Sequence, residues 1–400
     1  MKIAIVHERL DVMGGAERVI QSLHALYPNA PIYTSFVEYD NLPPEFRQMD
    51  IRVSYMQNLP AFVKRYNDKL LPLYMLAFQD FDLSAYDLVI SSSYVAAKSI
   101  LTTSSTCHIC YCHTPMRFAW DMYASYMRED GKKIVKAGVR LLLQYFRLWD
   151  VQTSNNVDYF IANSDLVRRR ILKHYRRDAA VIYPPVETQR FHLSETPADY
   201  FLVVSRLVPY KRIDLAVEAC NRLKLPLVVV GSGREEKRLR EMAGPTVQIL
   251  GWQSDAEVAR RLSEARGLIF PGEEDFGILP VEAQAAGTPI IAYGRGGALE
   301  TVKDGETGLF FDEQTSESLA NALTRFERMT FNRRAIANHA RGFDETVFHQ
   351  RIEAFVKKNY ANFKTDDRLT LPALDFAAPL EDTPLEERSL ASSVGETTAV

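Results

Sequence analysis

Short apolar segments alternate along this chain with longer stretches in which apolar residues return every three or four positions. The segments rich in Val, Ile, Leu and aromatic residues lie at 2–6, 30–36, 87–91, 107–111, 158–164 and 180–186 in the first half, and at 200–205, 225–230, 247–252, 267–270 and 290–293 in the second. Apolar runs of this length predict buried strands, and the stretches between them predict helices. Because strands that alternate with helices form parallel, doubly wound sheets, the sequence predicts an α/β protein.

A polar segment at 187–199 separates two such α/β halves. We therefore expect an N-terminal domain at 1–190 and a C-terminal domain at 198–345. Residues 346–363 have the pattern of a last helix. The chain from 365 to 400 is acidic, contains prolines and has no sustained periodicity, which predicts a disordered tail.

Composition and charge limit the possible partners and the cellular location of the protein. Its 400 residues carry a formal net charge of −3, which argues neither for nor against nucleic acid, and we expect no nucleic acid partner. The apolar start at 2–6 is too short for a signal peptide, and no run approaches the length of a membrane span. These observations predict a cytoplasmic protein.

Cys107, Cys110 and Cys112 alternate with histidines in a way that resembles a zinc site. They lie in one strand-like run, however, and neighbouring side chains of a strand point to opposite faces, so Cys107 and Cys110 would diverge. Buried free thiols in a reducing compartment are the favoured interpretation, and we expect no bound metal.

The most informative stretch is 271–289, which follows one strand-like segment and precedes another. It begins as an acidic loop that contains Glu274, and a short helix follows that Pro280 is suited to start and Gly287 to stop. Glu282 would then lie in the first turn of the helix. Carboxylates accept hydrogen bonds from hydroxyl groups, and free helix N–H groups bind phosphate, so this loop predicts a site for a sugar nucleotide.

Two cations follow the first strand of the second half. Arg206 and Lys211 come after the segment 200–205 and before a helix, where side chains and free N–H groups combine into a diphosphate site. The glycine pair Gly231 and Gly233 follows the next strand. It lacks the third glycine of a dinucleotide-binding fingerprint, so a nicotinamide oxidoreductase is disfavoured.

These motifs together resemble those of the retaining group 1 (family 4) glycosyltransferases. The resemblance rests on Glu274 and Glu282 in an E-x7-E pattern, on the S-R-L-x-x-x-K sequence at 205–211, on L-G-W at 250–252 and on the Gly14–Gly15 loop. It implies the GT-B fold, in which two Rossmann-like domains face each other across a cleft and a C-terminal helix crosses back to the first domain.

The resemblance also implies roles for individual residues. In this family the arginine and lysine grip the leaving diphosphate, the first glutamate holds the transferred sugar and the second holds the ribose. The expected catalytic residues are His113, Arg206, Lys211 and Glu274. The residues expected to bind the donor sugar nucleotide are Gly14, Gly15, Gly231, Gly233, Trp252, Phe276, Gly277, Ile278, Leu279 and Glu282. No cofactor or metal is expected, and the D-x-D sequence at 80–82 is discounted because it lies far from the donor motifs.

The segment His113-Thr114-Pro115-Met116-Arg117 resembles a subgroup that includes O-antigen mannosyltransferases. It makes His113 an active-site residue and Arg117 an acceptor-side residue. GDP-mannose is the first choice of donor and a UDP-hexose the second, and a non-catalytic scaffold of the same fold remains an alternative. A glycan or a lipid-linked molecule is the expected acceptor.

A basic and apolar stretch at 132–149 has helical spacing. Positions 134, 138, 141, 142, 145, 148 and 149 share one face, and Lys132, Lys133, Lys136, Arg140 and Arg147 flank it. Such a helix can lie on an anionic membrane, here the inner face of the plasma membrane, or it can pack on its own domain. The sequence leaves these two interpretations open.

Overall fold

The computed structural model describes residues 1–64, 70–128, 133–194 and 197–365. Two parallel sheets organise this part of the chain. The strands of the first sheet are β1 (Ile3–His7), β2 (Ile32–Thr34), β3 (Ile51–Val53), β4 (Leu88–Ser93), β5 (Cys107–Cys112), β6 (Tyr159–Ala162) and β7 (Ala179–Val181). They pair in the order β3-β2-β1-β4-β5-β6-β7, and every pairing is parallel. The short strand β3 has no counterpart among the predicted segments.

The second sheet repeats this design with six strands. They are β8 (Phe201–Val204), β9 (Leu227–Val230), β10 (Val247–Gly251), β11 (Gly267–Phe270), β12 (Ile290–Tyr293) and β13 (Gly308–Phe311). Their order is β10-β9-β8-β11-β12-β13, again with parallel pairing throughout. Central strands such as β11 are buried along their whole length, because helices cover both faces of a parallel sheet.

Helices connect the strands. In chain order they are α1 (Gly15–Leu26), α2 (Ala61–Lys64), α3 (Leu71–Ala77), α4 (Tyr123–Arg128), α5 (Lys133–Ser154), α6 (Asp165–Tyr175), α7 (Ile213–Leu223), α8 (Glu236–Met242), α9 (Asp255–Glu264), α10 (Ile278–Ala285), α11 (Ala298–Thr301), α12 (Ser316–Phe326), α13 (Arg333–Ala340) and α14 (Glu345–Thr365). Within the described residues, no helix is both long enough and apolar enough to cross a bilayer.

Helix α14 returns from the second domain to the first. Its buried residues Phe348, Ile352 and Val356 belong to the apolar core formed by β1, β4, β5 and α1. His349 of α14 also lies 2.8 Å from the hydroxyl oxygen of Ser22 in α1. This crossing confirms the predicted fold of two Rossmann-like domains with a C-terminal helix that crosses back. The predicted tail lies outside the described residues beyond Thr365.

Helix α5 has one buried and one exposed apolar side. Leu143, Phe146 and Trp149 are buried in the core of the first domain. The opposite side exposes four apolar residues, which we call the apolar row: Leu141, Leu142, Tyr145 and Leu148. The prediction that Trp149 shares the face of this row is wrong, because its ring turns inward and is 8% exposed. Lys132 and the side chains at 133–137 lie outside the described part of the structure.

The short helix α10 begins earlier than predicted. It starts at Ile278, with Gly277 as its N-cap, and Pro280 occupies its third position. A proline is tolerated there, because the first N–H groups of a helix have no partner within it. Glu282 consequently lies in the second turn and not in the first. The predicted stop is confirmed, since the helix ends at Ala285 and Gly287 follows with a φ of +78°.

Candidate active site

A cavity of about 420 Å³ lies between the two domains. It is formed where strands of both sheets end, which is the usual location of binding sites in open parallel sheets. Its lining includes these residues from the sequence analysis: Gly15, His113, Arg206, Lys211, Glu274, Phe276, Gly277, Ile278 and Leu279. The structure thus brings together residues that are up to 264 positions apart in the sequence, from Gly15 to Leu279.

The acidic loop carries its carboxylates into this cavity. Glu274 contacts the ammonium group of Lys211 through its Oε1 atom, and both side chains are largely buried. Gly277 ends the loop with a φ of +84°, and a Cβ atom at this position would lie 3.1 Å from the ring of Phe270. A glycine therefore allows the sharp turn that places Glu274 opposite the cations.

Lys211 is an unusual cation because it is enclosed and has other cations nearby. Burial, together with the charges of Arg206 and Arg117, lowers the pKa of Lys211 to about 7, although Asp275 acts in the opposite direction. Removal from water and neighbouring positive charge both disfavour the ammonium form. An anionic ligand such as a diphosphate would reverse this effect and restore the full charge of Lys211.

Gly231 and Gly233 act on the site through the backbone. Their φ angles are +133° and +158°, and a Cβ atom at Gly231 would lie 1.8 Å from the carbonyl oxygen of Ser205. At Gly233 a Cβ atom would lie 2.3 Å from the carbonyl oxygen of Leu207. The two glycines therefore let this loop pack against the segment that carries Arg206, although neither of them lines the cavity.

Three other predicted donor residues also lie outside the cavity lining. Gly14 is the N-cap of α1, directly before Gly15. Trp252 follows β10, and 74% of its surface is exposed. Glu282 is buried and its Oε1 accepts a hydrogen bond of 2.7 Å from Nη1 of Arg18, a residue of the opposite domain. Burial raises the pKa of Glu282, whereas the charge of Arg18 lowers it.

Arg117 lies at the domain interface. Its Nη1 atom is 3.4 Å from Oδ1 of Asp275 in the acidic loop. Arg170 of α6 contacts the same carboxylate and also Asp121, and its Nη1 atom donates to the hydroxyl oxygen of Thr114 at 3.2 Å. Arg170 therefore connects the segment after His113 with the acidic loop. The sequence analysis missed it, because a basic helix such as α6 gives no sign of which arginine points inward.

A second contact across the interface involves a helix terminus. The carboxylate of Glu300, in α11, accepts hydrogen bonds from the backbone N–H groups of Asp165 at 2.8 Å and Leu166 at 3.2 Å. These two groups begin helix α6 of the first domain, where a negative charge is favoured. The sequence analysis also missed Glu300.

His113 follows β5 and lines the cavity. Its Nε2 atom lies 2.8 Å from the hydroxyl oxygen of Ser92 in β4. Burial, with a smaller contribution from the nearby His7, lowers the pKa of His113 to about 3. A histidine with such a pKa is neutral at physiological pH, so it offers one N–H group and one lone pair.

The described residues contain no group of three or more His, Cys, Asp or Glu side chains that could hold a metal ion. Cys107, Cys110 and Cys112 are free and buried, as the strand pattern had indicated, and Cys220 in α7 is free and buried as well. Asp82 of the D-x-D sequence accepts a hydrogen bond of 2.7 Å from the hydroxyl group of Ser84. Neither it nor Asp80 lines the cavity between the domains.

The fold and the position of the cavity are those of the GT-B class of glycosyltransferases. Residues 186–343 match the family model described as Glycosyl transferases group 1, and residues 13–190 match the one described as Glycosyltransferase Family 4. The two matches together extend over most of the chain, which therefore belongs to the group 1 glycosyltransferases.

Curated relatives and a solved structure agree with this assignment. A D-inositol 3-phosphate glycosyltransferase of Actinosynnema mirum is 30% identical over 48% of this chain and 55% of its own length. An alpha-1,3/1,6-mannosyltransferase of Dictyostelium discoideum is 23% identical over 90% of this chain and 98% of its own. HepE of Anabaena, in a complex with UDP, has a TM-score of 0.65 at 19% identity, over 90% of this chain and 100% of its own.

The lengths of these matches differ. The chain spans between 36% and 60% of the length of the curated relatives that it matches first. The likeness to HepE, at its low identity, concerns the fold alone. The substrates of the present protein therefore have to be inferred from its own residues.

Proposed function

We propose that this protein transfers a hexose from a nucleotide diphosphate sugar to an acceptor hydroxyl group, with retention of the anomeric configuration. The observation that carries the proposal is the arrangement of Arg206, Lys211, Glu274 and His113 around one cavity between the domains. Two cations and a carboxylate that line one cavity suit a ligand that carries both a diphosphate and hydroxyl groups.

In this proposal the cations stabilise the charge that develops as the sugar leaves. The bond between C1 of the hexose and the oxygen of the terminal phosphate breaks, and its electron pair stays with the phosphate. Arg206 and Lys211 receive that negative charge, and such preorganised contacts are the largest single contribution in many enzymes. Glu274 accepts hydrogen bonds from sugar hydroxyl groups once its contact with Lys211 gives way to the diphosphate.

The acceptor oxygen then bonds to C1 on the face from which the phosphate departs. Its proton passes to the leaving phosphate oxygen, so the products are the glycosylated acceptor and a nucleoside diphosphate. This route needs no carboxylate nucleophile, no organic cofactor and no metal ion. Metal independence is part of the proposal, because two fixed cations already supply the charge that a metal would contribute.

GDP-mannose is the donor that we propose first. The segment from His113 to Arg117 supports it, as does the mannosyltransferase that matches over most of both chains. A UDP-hexose is the second choice, since HepE binds UDP and shares the fold. The product would belong to a surface polysaccharide. A scaffold that only binds nucleotide sugars is the remaining alternative, which the intact cavity disfavours.

We also propose that the acceptor is lipid-linked and that the protein lies on the inner face of the plasma membrane, in the cytoplasm. The apolar row of α5 supports this proposal, because Leu141 is 75% exposed and Leu148 is 62% exposed. An exposed row of leucines on a basic helix is typical of helices that lie in a membrane interface. The helix follows the His113 segment, so its membrane contact would keep the cleft near the bilayer.

A panel of nucleotide sugars tests the function directly. The protein is incubated with each donor and with lipid-linked acceptors, and the released nucleoside diphosphate is quantified. We expect release from GDP-mannose, and nuclear magnetic resonance of the product should show the same anomeric configuration as the donor. An inverted product would refute the retaining mechanism, and binding without release from any donor would favour the scaffold.

A further inference from the structure

A line of buried hydrogen bonds connects helix α1 with His113. Glu17 Oε1 lies 3.4 Å from Nε2 of His7, and Nδ1 of His7 lies 3.1 Å from the hydroxyl oxygen of Ser92. The same hydroxyl oxygen lies 2.8 Å from Nε2 of His113. His7 and Ser92 are completely buried and Glu17 is nearly so, so water does not compete for these contacts.

The carboxylate of Glu17, at one end of this line, determines which atom donates and which accepts in each hydrogen bond. An ionised carboxylate can only accept hydrogen bonds, so Nε2 of His7 carries the proton and donates to Glu17. In its neutral form the imidazole of His7 has this single N–H group, and its Nδ1 atom then accepts from the hydroxyl group of Ser92. The oxygen of Ser92 in turn accepts from Nε2–H of His113. This order leaves Nδ1 of His113 without a proton.

The surroundings of His113 leave that nitrogen available. The ring stands edge to face against Tyr94 and Tyr111, at 6.4 and 5.3 Å between ring centres. The hydroxyl group of Tyr111 donates to the carbonyl oxygen of Ile182, so it does not compete for the imidazole. Apart from Ser92, the described part of the chain offers the ring of His113 no hydrogen-bond partner, and His113 lines the cavity.

We propose that Glu17, His7 and Ser92 are positioning residues that fix the tautomer of His113, so that its Nδ1 atom accepts a hydrogen bond from a hydroxyl group of the transferred sugar. The inference rests on the proposed function. It assigns to the reaction three residues that lie outside the motifs of the sequence analysis, and it makes His113 a hydrogen-bond acceptor for the sugar. Apart from His7 and Glu17 themselves, the titratable side chains in contact with His113 are Tyr94 and Tyr111.

The chain offers a matched control for Ser92. The neighbouring Ser91 lies in the same strand, β4, and its hydroxyl oxygen is 2.8 Å from Nε2 of His108. Consecutive side chains of a strand point to opposite faces, so this second buried Ser–His pair faces away from His113. Ser91→Ala and Ser92→Ala therefore remove equivalent hydrogen bonds, and only the second one reaches the cavity.

Nuclear magnetic resonance of the full chain, labelled with ¹⁵N-histidine, reports the tautomer directly. The signals of His113 are assigned with His113→Gln. We expect the proton on Nε2 in the wild type and in Ser91→Ala, and a mixture of tautomers in Ser92→Ala. Glu17→Gln should also give a mixture, because an amide can donate as well as accept and allows the line to run in either direction. A wild-type His113 with its proton on Nδ1 would overturn the proposal.

Transfer kinetics supply the second measurement. We expect Ser92→Ala to lower kcat/KM for the donor about tenfold or more, which corresponds to the loss of one well-oriented hydrogen bond, and Ser91→Ala to stay within about threefold of the wild type. Equal losses in the two variants would show a structural role only and would overturn the positioning role. Because the spectrum needs no activity, failure to transfer any sugar would refute the proposed function while the tautomer is still decided.

Discussion

Arg18 of the first domain donates a hydrogen bond of 2.7 Å from Nη1 to Oε1 of Glu282 in the second domain. The carboxylate that the family resemblance assigns to the donor's ribose is thus already paired with a cation from across the cleft. A nucleotide can reach Glu282 only if Arg18 shares it or if the domains move apart. The pair therefore links donor binding to the relative position of the two domains.

Arg18→Ala should destabilise the protein in a pH-dependent manner. Loss of the cation leaves the buried carboxylate of Glu282 without its partner, at a cost of about 2 kcal/mol near neutral pH. Burial already raises the pKa of Glu282, and without Arg18 it should rise further. The folded protein then binds a proton more readily than the unfolded chain, so the deficit should shrink as the pH falls from neutral toward the ordinary titration range of a glutamate.

Urea denaturation of both proteins across this pH range measures the deficit. Glu282→Gln is the matched control, because an amide needs no cation. In the double variant the additional loss caused by Arg18→Ala should be small and independent of pH. A deficit that stays constant with pH in Arg18→Ala would refute the role of this pair.

Arg206→Ala and Lys211→Ala should each lower turnover strongly while the fold stays intact. Loss of one preorganised charge contact at a developing anion costs about 3 kcal/mol, or roughly a hundredfold in kcat. Arg212→Ala is a suitable control, since this neighbouring arginine pairs with Asp214 away from the cavity. Steady-state kinetics and circular dichroism of the three variants test the assignment, which wild-type turnover in both site variants would contradict.

The pH dependence of kcat/KM should reveal Lys211. Its pKa of about 7 in the free protein means that the ammonium form predominates below this pH and is lost above it. Since only the charged form attracts the diphosphate, kcat/KM for the donor should fall as the pH rises through about 7. Lys211→Arg keeps its charge over this range, so its profile should be flat there even if its overall activity is lower. Identical profiles for both proteins would assign the titration to another group.

Activity should persist in EDTA. Arg206 and Lys211 supply fixed positive charge, and the structure places Asp80 and Asp82 outside the cavity. Turnover measured before and after chelation should agree. Loss of turnover in EDTA that manganese or magnesium ions restore would instead point to a metal, and Asp80→Asn would then identify whether the D-x-D sequence binds it.

Binding to anionic vesicles should depend on the apolar row of α5. Burial of leucine side chains in the interface, together with basic residues near anionic headgroups, favours association. In co-sedimentation with phosphatidylglycerol vesicles at low salt, the wild type should pellet, and Leu141→Gln/Leu148→Gln should stay largely in the supernatant. Both proteins should hydrolyse the donor equally.

The control for this prediction places the same substitutions elsewhere. Leu101 and Leu172 are also exposed apolar residues, at 54% and 49%, but lie outside the row. Leu101→Gln/Leu172→Gln should therefore still pellet. Equal partitioning of the two double variants, or no binding by the wild type, would remove the membrane proposal and leave the transferase proposal unaffected.

The sequence predicted the parts of the site that depend on local pattern. Arg206, Lys211 and Glu274 follow strands within motifs of fixed spacing, and parallel strands necessarily bring their carboxyl ends to one edge of a sheet. Gly277 and Gly287 also follow from local pattern, because the turns at these positions require backbone angles that favour glycine. The error at Pro280 concerned two residues only, because a proline is acceptable at several positions of a first helical turn.

The contacts across the domain interface could not be predicted in this way. Arg18, Arg170 and Glu300 all find their partners on the opposite domain, and their local sequence is that of ordinary helix surfaces. Trp149 was misplaced because a helical pattern gives the angle of a side chain but not the depth of the groove beside it. The contacts of Arg18, Arg170 and Glu300 depend on how two complete domains meet, which the spacing of residues along one chain does not encode.

The contact of Glu300 with helix α6 also has a consequence for anion binding. At the N-terminus of α6, the N–H groups of Asp165, Leu166 and Val167 have no partner within the helix: the side chain of Ser164 accepts from Val167, and Glu300 of the opposite domain accepts from the other two. If the domains part, the two N–H groups of α6 would be exposed to the solvent, and Glu300 would be a free carboxylate. Small anions such as chloride or phosphate would then compete with Glu300 for the same two groups, so we expect any opening of the domains to depend on the salt in the medium.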